Sequence, residues 1–308
     1  MADYADILIN ALKKNDVIRK TDLTTGDEAI LQNGHTLFST KDSFSEDLIE
    51  TIKPEPELVL FGAGHVGKAV YDLAKMLGFS VSVLDERAEL ANAERFPDAE
   101  IIVKPYAKLL ANEYSFFRPY YLIFTHGHRY DKDCLRYALC HDASYIGMIG
   151  SRGKVKATME SLESEGFSPA VLSGVHSPIG LKIGAVTPEE IAVSIMAEVI
   201  SVYRSDKNMI TLSPQYLESI RGKKGVAARI VEKKGSAPRA IGSEIMVTED
   251  GSVYGTIGGG AIEKEAIENA KRILKKEEAP SVRHYALNPS GDLGMICGGD
   301  VTLLFSYR

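Results

Sequence analysis

Residues 57–61, ELVLF, form an apolar run that leads directly into Gly62-Ala63-Gly64-His65-Val66-Gly67. A helix-like stretch follows, and a second apolar run ends at Asp85, 18 positions past Gly67. This order of strand, glycine turn, helix and acidic strand end limits the possible folds more than any other feature of the chain. The glycines permit a tight turn and let backbone approach a pyrophosphate at the positive end of a helix. Asp85 stands where a carboxylate accepts hydrogen bonds from ribose hydroxyls. Arg87 follows two residues later and is placed to contact a ribose phosphate, so the spacing does not choose between NAD and NADP. The expectation is a Rossmann-type domain with Gly62, Gly64, His65, Gly67, Asp85 and Arg87 at its ligand edge. The other reading of this pattern is a Rossmann fold that has lost its nucleotide.

Short apolar runs at 57–62, 80–85, 100–104, 120–125 and 144–150 alternate with helical segments. Such alternation predicts crossover units and a mainly parallel sheet. At 187–204, Thr187, Pro188 and Glu190 form the start of a helix with a capping box. Composition shifts at SDKNMITLSP (205–214). Beyond it lie strand-like runs at 225–233 and 243–259, the latter turning at Asp250-Gly251, and a last one at 301–307. Between them a helix carries Ile262, Ala266, Ala270 and Ile273 on one face. Upstream, residues 3–14 have helical periodicity, Asn33-Gly34 signals a hairpin, and the prolines of KPEPE mark a linker. The expected class is α/β: a Rossmann-type parallel-sheet domain at 54–205, a smaller α/β domain at 206–308, and an N-terminal helix and hairpin segment at 1–53.

With 308 residues the chain can bury a real core. Its formal net charge of −6 offers no basic field for nucleic acid or an anionic membrane. No run approaches the about 18 apolar residues of a membrane span, and the acidic N-terminus lacks a signal-peptide pattern. Three cysteines, Cys134, Cys140 and Cys297, fit a reducing cytoplasm better than a disulfide framework. Cys134 and Cys140 fall in one helical stretch and are expected to be buried small hydrophobes.

Four further motifs have chemical potential. His126 and His128 lie in Thr125-His126-Gly127-His128-Arg129-Tyr130-Asp131, after a strand, where they can exchange protons, bind a metal or simply bond the loop. Ser151 and Arg152, in Gly150-Ser151-Arg152-Gly153-Lys154, can hold a phosphate or belong to a solvated loop. Gly258, Gly259 and Gly260 precede a helix with Glu263 in its first turn; they form either an anion nest or a tight turn. Cys297, in Met295-Ile296-Cys297-Gly298-Gly299-Asp300, is a soft ligand on an accessible loop or a buried thiol at a strand start.

Taken together, LVLFGAGHVGKAV, VSVLDERAELANAERFP, THGHRYD, YIGMIGSRGK, SPIGLKIGAVTPEEIAVSIMAEVI, KKGSAPRAIGSEIMV, GTIGGGAIE and MICGGDVTL resemble the XdhC/CoxI family. Its members are maturation factors of xanthine dehydrogenase and related molybdenum hydroxylases. The resemblance runs from about residue 55 to the end, with the two domains in the reverse of the commoner order. It implies binding of molybdenum cofactor (molybdopterin) and its delivery, in sulfurated form, to a xanthine dehydrogenase-like apo-hydroxylase. In that reading Cys297 lies near the metal, and Glu263, Arg239 and the Gly258–Gly260 backbone lie around the pterin. Gly62, Gly64, Gly67, Ser151 and Arg152 supply a second anion-binding surface. A sulfurating cysteine desulfurase and a second copy of the chain are further expected partners. The chain is then an accessory protein more than a catalyst. The runner-up is an NAD(P)-dependent oxidoreductase with His126 or His128 as acid/base, and Glu263 as a further catalytic candidate. A third reading is a nucleotide sensor that docks on a partner enzyme.

Overall fold

A computed structural model describes residues 3–114, 116, 118–205, 210–235, 239–286 and 299–308. The chain divides into two compact units, one formed by Met1–Pro54 with Asn208–Arg308 and the other by Glu55–Lys207.

The N-terminal residues begin with helix α1 (Tyr4–Leu12), capped by the Asp3 carboxylate on the Asp6 N–H. Four strands follow: β1 (Val17–Thr21), β2 (Glu28–Gln32), β3 (His35–Ser39) and β4 (Leu48–Ile52). They form an antiparallel sheet in the order β3-β2-β1-β4. Asn33 and Gly34, with φ of 50° and 80°, make the β2–β3 turn as the sequence predicts.

The second unit carries the parallel sheet. Its strands are β5 (Glu57–Phe61), β6 (Ser80–Asp85), β7 (Glu100–Val103), β8 (Pro119–Ile123) and β9 (Tyr145–Met148). The order is β7-β6-β5-β8-β9, with every pair parallel. The crossovers hold α2 (His65–Met76), α3 (Tyr106–Leu109) and α4 (Asp131–Cys140); α5 (Arg152–Ser164), α6 (Pro169–Leu172) and α7 (Pro188–Tyr203) follow β9. Thr187 and Glu190 form the predicted capping box of α7. Val59, Phe61, Tyr121, Ile123 and Met148 pack with Cys134 and Leu135 of α4 in one core. Only one half of the expectation for the helical cysteines holds: Cys134 is buried, but Cys140, on the last turn of α4, is exposed.

The chain then returns to the first unit with α8 (Pro214–Ile220), β10 (Gly225–Lys234), β11 (Glu244–Thr248), β12 (Val253–Gly255), α9 (Gly260–Leu274), β13 (Val282–Ala286) and β14 (Asp300–Tyr307). The sheet order is β12-β11-β10-β14-β13, all antiparallel. Ile262, Ala266, Ala270 and Ile273 of α9 pack on Val226, Ala228, Ile230, Val301, Leu303 and Phe305. Side chains alternate across a strand, so Arg229 and Glu244, paired in register, project from the opposite face.

On that face six buried charges close a ring. Arg19 pairs with Glu50 at 2.9 Å and Glu244 at 3.4 Å. Arg229 pairs with Glu28 at 2.9 Å and Glu50 at 3.2 Å. Arg308 pairs with Glu28 at 2.8 Å and Glu244 at 3.3 Å. Every carboxylate thus bridges two guanidiniums. Residues 1–54 contribute one arginine and two glutamates, and residues 208–308 two arginines and one glutamate, so neither part is neutral alone. An apolar layer of Leu8, Val17, Ile30, Ile52, Ile210, Leu217 and Met246 adjoins the ring.

Two outcomes are expected. Burial opposes ionisation of Glu28, but Arg308, Arg229 and Arg19 hold its carboxyl down to about 2. A depressed acid stabilises the fold fully above its unfolded pKa and loses that contribution as pH falls through the folded value. Resistance to denaturant should therefore fall as pH drops from about 4.5 to about 2. Glu28→Gln should lose about 3–5 kcal/mol at pH 7, because it leaves buried guanidinium charge unpaired, and should flatten that acid limb. In the second test, residues 206–308 expressed without 1–53 should fail to fold, while 55–207 alone should give a cooperative thermal transition. A cooperative melt of 206–308 would remove the ring from its organising role.

Candidate functional site

In the parallel sheet, β5 connects outward to β6 and β7, and the chain then returns to β8 on its other side. Ligand crevices of open α/β sheets lie at such a reversal, outside the carboxyl ends of the strands. Three loops meet at this edge: Gly62–Gly64 after β5, Thr125–Tyr130 after β8, and Ile149–Ser151 after β9.

The glycines of the first loop divide their work. A Cβ on Gly62 would lie 2.4 Å from the Phe124 carbonyl oxygen, and one on Gly67 would lie 2.1 Å from the Gly62 oxygen. Both are glycine because backbone packs against them. Gly64, the N-cap of α2, has nothing within 4 Å of that position and leaves open space at the helix start. His65 opens the helix. Here the first turn leaves N–H groups without intrahelical partners.

Asp85 ends β6 and is 1% exposed. Its Oδ2 accepts from the Ala63 N–H at 2.7 Å and from Arg87 Nη2 at 2.7 Å. Its Oδ1 accepts from the Arg87 N–H at 3.0 Å and from Arg87 Nε at 2.9 Å. Burial works against the charged form, yet the bonds from Arg87 and Ala63 hold this carboxyl below its ordinary value. Arg95 donates through Nη1 to the Ala63 oxygen at 2.9 Å. Asp85 and Arg95 thus grip Ala63 by its N–H and its carbonyl. Arg95 lies in the segment VSVLDERAELANAERFP that carries the family resemblance, but no spacing there singles it out.

In the second loop the buried Asp131 is the hub. Its Oδ1 accepts from the Thr125 N–H at 3.0 Å and hydroxyl at 2.6 Å, and its Oδ2 lies 2.8 Å from His128 Nδ1. Burial pushes the Asp131 carboxyl up, against the Thr125 bonds. His128 adopts φ of 60°, a left-handed conformation that its side-chain bond helps to hold. His126 is exposed and stands outside this cluster. The sequence did not separate the two histidines; the structure does, by giving one a carboxylate.

Ser151 caps α5 and Arg152 begins it, so Gly150-Ser151-Arg152-Gly153-Lys154 is a strand-to-helix turn. Lys154 reaches back to the His128 oxygen at 3.4 Å and lies 3.6 Å from Asp131 Oδ2, joining the second and third loops. Among the described residues no three His, Cys, Asp or Glu side chains group as a metal site.

In the other unit, Glu263 lies in the first turn of α9. Its Oε2 accepts from Thr256 Oγ1 at 2.6 Å, Gly259 N–H at 2.9 Å and Ile257 N–H at 3.1 Å. The Gly258 N–H donates to Thr256 Oγ1 at 3.1 Å. Burial opposes its ionisation, but these donors hold the Glu263 carboxyl below its usual value. The glycine loop therefore already contains an anion. Arg239 is exposed. Cys297 lies outside the described residues.

The division among the glycines has a measurable consequence. Gly67→Ala should lower thermal stability clearly, because backbone must move to admit the methyl. Gly64→Ala should stay within about 0.5 kcal/mol of wild type, as surface substitutions usually do, while obstructing the approach of any phosphate to α2.

Against known families, residues 58–199 match the XdhC Rossmann domain and residues 220–286 match the XdhC and CoxI family. The chain is 35% identical over 160 residues to a probable xanthine dehydrogenase component of Bacillus subtilis (strain 168), covering 52% of this chain and 46% of that protein. It is 33% identical over 82 residues to the molybdenum cofactor insertion chaperone PaoD of Escherichia coli (strain K12), covering 27% of this chain and 26% of that one. The matched part is thus less than half the length of either relative. A crystal structure of a xanthine dehydrogenase from Bacillus halodurans superposes with a TM-score of 0.54 at 29% identity, covering 66% of this chain and 65% of that one. One family domain falls in each structural unit, with the Rossmann domain first, and the chain belongs to the XdhC/CoxI family.

Proposed function

We propose that this chain is a maturation factor that carries molybdenum cofactor as cargo and delivers it, in sulfurated form, to a xanthine dehydrogenase-like molybdenum hydroxylase. The observation that carries the reading is the presence of both family domains in one chain, together with the likeness to a molybdenum cofactor insertion chaperone. A sulfurating cysteine desulfurase would supply the sulfur, and a homodimer would shield the cargo.

The chemistry assigned to each residue follows from what is free to act. Cys297 offers the soft thiolate that a molybdenum centre accepts. The N–H groups of Ile257, Gly258 and Gly259 are already taken by Glu263 and Thr256. The donors open to a pterin phosphate are therefore those of the first turn of α9, beginning at Gly260, with Arg239 as the exposed cation. Glu263 holds the loop in shape. In the Rossmann unit Gly64, His65, Ser151 and Arg152 form the second anion surface.

The oxidoreductase reading finds partial support. The Asp131–His128 pair is an oriented acid/base candidate. The open space at Gly64 fits a dinucleotide's pyrophosphate. The ribose end does not fit: Asp85, which would accept the diol, is committed to Arg87 and Ala63.

Cys297→Ser keeps the side-chain size and removes the soft ligand. The expected outcome is a melting temperature close to wild type, with loss of molybdenum and pterin retained on purification from a molybdate-fed host, and loss of apo-hydroxylase activation. Unchanged retention with a lower melting temperature, from a hydroxyl buried at about 1–3 kcal/mol, would instead make Cys297 a structural residue.

A further inference from the structure

We propose that Arg87 makes the β6 end of the Rossmann crevice a reader of phosphate monoesters and not of ribose diols. A carboxylate offers about four lone-pair positions. Asp85 receives four donors: the N–H groups of Ala63 and Arg87, and Nε and Nη2 of Arg87. A ribose diol arriving there would find no acceptor and would have to displace a charge-assisted bidentate pair, the strongest hydrogen-bonding arrangement a carboxylate makes.

The same arrangement prepares Arg87 for an anion. Two of its nitrogens are used on Asp85, and Nη1 has no hydrogen-bond partner among the described residues. The side chain is 22% exposed, so the guanidinium is partly open to solvent. Asp85 fixes its plane, which lowers the entropy lost when a phosphate binds. Because Asp85 also holds the Ala63 N–H, the guanidinium is anchored beside the glycine loop. The carboxylate thus acts as a positioning residue and the arginine as the group that touches ligand. The chemistry recognised is a phosphate monoester, whether the 2′-phosphate of an NADP-type dinucleotide or the phosphate of a pterin.

Calorimetry on the full chain tests this with NAD+, NADP+, 6-hydroxymethylpterin and its phosphate. The expected result is at least tenfold tighter binding of the phosphorylated member of one pair. A preference within the dinucleotides identifies a nucleotide site; a preference within the pterins identifies a pterin site. Arg87→Ala should remove that preference. If the site is a nucleotide site, it should also raise NAD+ affinity, because Asp85 is freed to accept the diol. Arg87→Lys should keep part of the preference through charge alone. Equal binding within both pairs, binding of neither, or a preference that survives Arg87→Ala overturns the proposal. The wild-type comparison holds whether or not the variants fold. No readout involves molybdenum, so cargo delivery and phosphate reading succeed or fail separately.

Discussion

The closed ring of Arg19, Glu50, Arg229, Glu28, Arg308 and Glu244 is the constraint on which the first unit depends. Removing six charges from water costs several kcal/mol for each ion, and their attraction offsets this only when every charge is paired in good geometry. The ring meets the pairing part of that condition by alternation, since each charge has an opposite neighbour on both sides, while Arg19 Nη2, Glu50 Oε1 and Arg229 Nε are buried without a hydrogen bond among the described residues. A well-packed apolar layer could be as stable. The ring instead demands one particular partner: a sheet with excess negative charge meets a sheet with excess positive charge. Thr21 and Tyr216 complete it, the first accepting from Arg229 and the second donating to Glu244. The five-stranded sheet is thereby covered on one face by residues 1–54 and on the other by α9, whose first turn bears the glycine loop.

The same economy of charge governs the Rossmann edge. Asp85 and Arg95 fix Ala63, Asp131 fixes Thr125 and His128, and Lys154 links two of the loops. Each ionic side chain satisfies backbone or loop groups that would otherwise lie unpaired next to the core. A crevice whose loops are tied together this way has its groups positioned before a ligand arrives, and less order must be created on binding.

Both units contain a glycine turn whose N–H groups meet a carboxylate from the chain itself. Asp85 takes the N–H of Ala63, and Glu263 takes those of Ile257 and Gly259. Glycine turns followed by helices attract anions by their geometry. Here part of that attraction is satisfied internally, and an incoming phosphate has to use donors beyond the internal anion.

The sequence by itself determined the elements whose cause is local. The capping box of α7, the Asn33-Gly34 turn, the five parallel strands and the buried face of α9 each follow from neighbouring residues and the periods of helix and strand. The family motifs and their order were legible for the same reason. Tertiary structure alone decided what depends on distant partners. Strands β1 and β4 lack an amphipathic sequence pattern because Arg19 and Glu50 occupy inward positions, and a buried charge is intelligible only beside the partner that neutralises it. It assigned residues 1–54 to the unit of 208–308, left Cys140 in solvent, and committed Asp85 to Arg87. Spacing places a carboxylate at a strand end, but only three-dimensional contact decides which donors have already filled its lone pairs.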